Sequence, residues 1–157
     1  MSTTIGNLGT VATWIAGLTI TGMHKTCDLT NLLEAVQPQH CPLLMPDVNA
    51  PFMTDLRVER KSGRVVEGRL FQVTYQLHYI LFYAPVAASG TSLFTAYSAM
   101  ATQWSRIVTA IATNETPNGA YDIMPAGSPS FGIVNDLADP PVGFHGARFV
   151  LSVTEFD

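Results

Sequence analysis

The segment FQVTYQLHYILFYAP, residues 71–85, restricts the fold of this chain more than any other. Phe71, Val73, Tyr75, Leu77, Tyr79, Leu81 and Tyr83 fill every odd position, with Gln72, Thr74, Gln76 and His78 between them. Successive side chains of a strand point to opposite faces, so this alternation predicts a long strand with one face in a core. A helix would scatter the same residues around its circumference. At Ile80 and Phe82 the even positions turn apolar as well. That end is therefore expected to be covered on both sides, or to reach a partner.

The strand is fed by the most charged stretch of the chain, RVERKSGRVVEGR, residues 57–69. Leu56 to Val58 read as an outgoing arm, Ser62 and Gly63 as a turn, and Val65 and Val66 as the start of the return arm. Arg57, Arg60, Lys61, Arg64 and Arg69 are five of the eight Lys and Arg residues, opposed locally by Glu59 and Glu67. The hairpin thus carries +3 and the remainder −7, from a net charge of −4. Three readings fit: a solvated turn, an arm that docks on the acidic body of a neighbouring copy, or the lining of a passage for a polyanion.

Elsewhere the pattern is punctuated. Ile5, Leu8, Val11, Ala12, Ile15 and Leu18 recur at helical spacing, predicting a helix from about Thr4 to Leu18 capped by Thr3 or Thr4. Gly22 closes a turn, and MHKTCDL is undecided between strand and loop. Leu32, Leu33 and Val36 supply one helical turn stopped by Pro38, and CPLLMPDV reads as an edge strand because Pro42 and Pro46 lack ladder donors. Residues 92–114 form a helix with Leu93, Tyr97, Met100, Ala101, Trp104, Ile107, Val108 and Ile111 on its apolar stripe. AYDIM, FGIVND and GARFVLSVTEF read as strands, with LADPPVGFHG as a loop. This order predicts a single α+β domain over residues 1–157, a mostly antiparallel sheet with helices packed on one face and a hairpin projecting around 57–69.

Charged residues make up 13% of the chain, about half of the usual share near 25%. So few charges suit a subunit that hides much of its surface in an assembly, because Thr, Ser, Asn and Gln face another protein more cheaply than unpaired charges do. The acidic balance excludes a general nucleic-acid coat. The N-terminal segment lacks a positive flank and an unbroken apolar run, so a soluble, unprocessed protein outside the membrane is expected. Cys27 and Cys41 are too few for a disulfide scaffold and are read as reduced thiols.

The chemistry-bearing residues form no catalytic constellation. His24 with Cys27 and His40 with Cys41 have no standard zinc spacing, and adjacent residues on an extended chain point apart. No nucleophile elbow, phosphate loop or dinucleotide fingerprint is present. Asp136 and Asp139 in NDLADPP read as turn formers and solvated caps. Trp104, Tyr97 and Met100 read as core, and the tyrosines of the long strand have no interleaved cations, unlike an RNA-binding sheet. No catalytic, cofactor or metal residues are assigned.

IGNLGTVATWIAGL followed by TGMHKTC, the proline-flanked CPLLMPDV, the charged hairpin feeding FQVTYQLHYILFY, the helix SLFTAYSAMATQWSRIVTAI and the closing GARFVLSVTEFD together resemble the tail terminator proteins of long-tailed bacteriophages. The resemblance spans most of the chain. It implies an α+β subunit, not an enzyme, that forms a hexameric ring in the virion after assembly in the host cytoplasm. Such a ring caps the tail tube protein, meets the head-tail connector, and lets DNA pass through its lumen without sequence-specific binding. The hairpin cations Arg57, Arg60, Lys61, Arg64 and Arg69 would then lie at a subunit interface or along the lumen. The insert LTNLLEAVQPQH and the loop NDLADPPVG depart from that picture and leave a tail tube or other neck role open. A small-molecule-binding module or enzyme is the reading from a different class.

Overall fold

A computed structural model describes residues 8–49, 51–60, 71–86 and 93–156. Its elements are α1 (Leu8–Ala16), β1 (Lys25–Thr26), a 3-10 turn (Pro38–His40), β2 (Leu43–Pro46), β3 (Met53–Arg60), β4 (Phe71–Pro85), α2 (Leu93–Thr113), a second 3-10 turn (Pro117–Gly119), β5 (Tyr121–Pro125), β6 (Ser130–Asn135) and β7 (Gly143–Phe156). β4 and β7 pair antiparallel along almost their whole lengths, from Gln72 opposite Phe156 to Pro85 opposite Phe144. Each is too long for one short partner and takes two, end to end. β3 and then β2 lie beside β4, while β5 and then β6 lie beside β7. One end of the sheet is therefore β3–β4–β7–β5, and the other is β1–β2–β4–β7–β6. The architecture is α+β.

The odd positions of β4 and β7 form the main core. Val73, Tyr75, Leu77, Tyr79 and Leu81 pack with Ala147, Phe149, Leu151 and Val153 beneath Val11 and Ile15 of α1 and Ile107, Ala110 and Ile111 of α2. Both helices thus sit on one face, and each large side chain buried there contributes about 1.5–3 kcal/mol. α1 is pinned by Trp14, whose Nε1 donates to the Glu115 carbonyl just beyond α2 (2.9 Å). Thr3 and Thr4, the expected N-caps, lie outside the described residues, as do the turn at Ser62 and Gly63 and the AASG loop.

On the even face, Ile80 and Phe82 join Cys27, Val36, Leu43, Met45, Val134 and Phe144 in a second cluster. The chain covers this end of the strand itself. Phe82 meets Phe144 edge-on, with centroids 5.4 Å apart. Gly146 is opposite Phe82 in the ladder, and a Cβ there would run into the Leu81 carbonyl and Val134.

Several sequence expectations are corrected. Leu32, Leu33 and Val36 form no helical turn, because the Val36 N–H is taken by the Asp136 carboxylate (Oδ2, 3.1 Å) and Asp28 ties down Thr30. Pro38 opens the 3-10 turn instead of ending a helix. β2 is not an edge strand: its prolines lie just before it and at its end, and β1 pairs along its outer side in parallel. GFHG belongs to β7, since Phe144 and His145 are buried between β4 and β6. Finally, the core stripe of α2 is rotated. Ala96, Met100, Gln103, Ile107, Ala110 and Ile111 face inward, whereas Tyr97 is 50% exposed and rests on Phe131, centroids 5.0 Å apart. Alanines permit close approach on that flank, and the Gln103 amide is satisfied by the Thr21 carbonyl (3.0 Å).

Candidate functional site

Antiparallel partners share a face, so the register defines the even face of the β3–β4–β7–β5 end row by row. Arg57, Thr74, Thr154 and Asp122 form one row; Thr54, Gln76, Ser152 and Met124 form the next. Glu59 beside Gln72, and His78 beside Val150, flank them. None of these side chains is buried. The Thr54 hydroxyl and His78 Nε2 are hydrogen-bonded across the strands (2.8 Å). The result is an open face of hydroxyls and amides with charge confined to its margins.

Its lateral edges are open as well. Among the described residues β3 pairs with β4 alone, and β5 with β7 alone. β3 exposes Leu56 (46%) and Val58 (47%), and β5 exposes Met124 (55%). A bulge places Asp55 and Leu56 together opposite Tyr75, with Asp55 at φ 56°. Bulges and edge charges of this kind restrict which strands can pair there.

The structure brings β3 and β4 together up to the pair of Arg60 with Phe71; Val65 and Val66, the expected start of the return arm, lie outside the described residues. Arg57 is exposed on the open face. Arg60 closes β3, while Lys61, Arg64 and Arg69 lie outside the described residues.

The other candidates are occupied locally. His40 Nδ1 accepts the Gln37 N–H (3.0 Å), and the Cys41 thiol lies 3.9 Å from the Gln37 carbonyl oxygen. Burial pushes the Cys41 thiol up to about 11 and raises that of the fully buried Cys27. Such thiols are poor nucleophiles at neutral pH. Among the described residues no group of His, Cys, Asp and Glu is arranged to hold a metal ion. In the core, burial first and the Glu155 carboxylate second raise the Tyr75 phenol far above its usual range.

Asp136 and Asp139 do occupy a turn, but Asp136 is not a solvated cap. It is 4% exposed. Its Oδ1 accepts the N–H groups of Ala138 (3.2 Å) and Val142 (2.9 Å) while Oδ2 straps Val36. Sequence reading also missed a group built from Gly22, Gln103 and Arg106. Arg106 Nη1 donates to Gln103 Oε1 (3.2 Å) beside the turn at Gly22. A polar residue inside an otherwise apolar helix stripe was the available signal, and its partner lies 82 residues away. No helix among the described residues is long and apolar enough to cross a membrane. Comparison of the chain with family models, curated proteins and solved structures gave no match.

Proposed function

We propose that this protein is a structural subunit of a phage tail, a terminator that closes into a hexameric ring on the end of the tail tube and joins it to the head connector. The observation that supports this reading is the open end of the sheet: among the described residues nothing covers this end of the even face or pairs with its two lateral edges, and apolar side chains are exposed along them. A closed ring uses heterologous contacts, in which one patch meets a different patch on the next copy, and a sheet with two unlike edges offers such a pair. Leu56 and Val58 supply apolar area on one edge and Met124 on the other. Thr74, Gln76, Ser152 and Thr154 offer hydrogen-bonding groups without carrying charge. A wall of that kind offers phosphates a cation only at its margin, where Arg57 lies in one row with Asp122, so it suits a passage through which DNA moves without being held. The reading requires no catalysis.

Light scattering and negative-stain microscopy of the full chain test the proposal. Rings that halt growth when added to polymerising tail tube protein are the expected result. A chain that stays monomeric at tens of micromolar overturns it, and one that grows into tubes by itself reassigns it to the tube.

A further inference from the structure

The groove between α2 and the turn that follows α1 is a polar site apart from the sheet. Thr19 and Thr21 form one wall and Thr102, Ser105 and Thr109 the other, enclosing about 380 Å³ around Arg106. α2 spans 21 residues, and Arg106 is its one charged side chain. The protein aims that charge. Arg106 Nη1 donates to Gln103 Oε1 at 3.2 Å; Gln103 is 2% exposed, and its Nε2 donates to the Thr21 carbonyl at 3.0 Å. Gly22, at φ 79°, leaves the space for this, since a Cβ there would stand 2.7 Å from both Arg106 Nη1 and Gln103 Oε1. A buried amide, a left-handed glycine and a backbone carbonyl thus hold one guanidinium at an exposed position. Among the described residues no carboxylate is paired with it, whereas Arg148 is paired with Asp47.

We propose that Arg106 is a fixed anchor for a carboxylate on a second copy of this chain. The guanidinium has donors left to grip a carboxylate side by side, the strongest geometry for such a pair. Preorganisation removes the side-chain ordering cost that leaves most exposed ion pairs worth little. Charge complementarity identifies the occupant. Outside residues 57–69 the chain has ten Asp and Glu against Lys25, Arg106 and Arg148. Glu34, Glu115, Asp122 and Asp139 are all exposed, so a second copy presents carboxylates in excess. The inference rests on the ring reading and names one of its contacts, on the helix side rather than the sheet side.

Sedimentation velocity of the full chain at low and high salt, beside thermal melts, tests it. R106E is expected to weaken assembly by about tenfold or more and R106K by less, because lysine keeps the charge but loses the fork. Q103E places a carboxylate beside Arg106 within the same chain, and is expected to weaken assembly in the same direction. Unchanged melting of R106E and R106K makes the effect one of contact rather than folding. Unaltered assembly of R106E overturns the anchor and leaves the ring reading standing. A wild-type chain that is monomeric throughout overturns the ring reading, and the anchor with it.

Discussion

The two ends of the even face of β4 belong to one strand and one face, yet they meet different fates. At the far end Ile80 and Phe82 are buried under residues 27–45 and the β6–β7 hairpin. At the near end Gln72, Thr74 and Gln76 form part of the open face. The chain uses its own irregular segment to cover the apolar half and, among the described residues, leaves the polar half bare. Covering a Thr and Gln surface inside the same chain would require a hydrogen-bond partner for each buried group, while Ile80 and Phe82 only need to be dry. The irregular stretch that carries Leu32, Leu33 and Val36 is part of this cover, so its place in the fold is structural.

Substitutions at the two ends should differ in cost, those at the covered end most of all. Phe82→Ala removes a fully buried ring from the covered end and is expected to cost about 3–5 kcal/mol in urea unfolding. A loss below about 1 kcal/mol would mean that the cover is not a packed core. Asp136→Asn retains the shape of the strap but sets an amide against backbone donors, and is expected to cost about 1–3 kcal/mol. Amide exchange should rise around Val36, Ala138 and Val142, whose N–H groups Asp136 accepts. Gln76→Ala, on the open end, is expected to change monomer stability by no more than about 0.5 kcal/mol. A larger loss in the isolated chain would show that this face is covered after all.

The difference between the two ends was already visible in the alternation of residues 71–83, because the period of a strand is local and sets which side chains share a face. Its core face, the pairing of the hairpin arms and the extent of α2 follow from the same kind of local pattern. The candidate site was less legible. Of the hairpin cations, Arg57 is placed on the open face by its register with Thr74. The anchor at Arg106 depends on a buried glutamine that hydropathy ranks as a solvent residue. Gln103 is buried with its amide on the Thr21 carbonyl, in the turn after α1, while Tyr97 is left exposed, and no local pattern carries that pairing.

From the sequence alone came the class of fold, the long two-faced strand and a chain poor in charge. Tertiary structure alone decided what covers Ile80 and Phe82, that Asp136 reaches back to Val36, and that one arginine of α2 is held in place. Period and composition are properties of neighbours along the chain. The cover, the strap and the anchor instead depend on partners 82 and 100 residues apart, whose meeting is set by packing and by the need to satisfy every buried polar group.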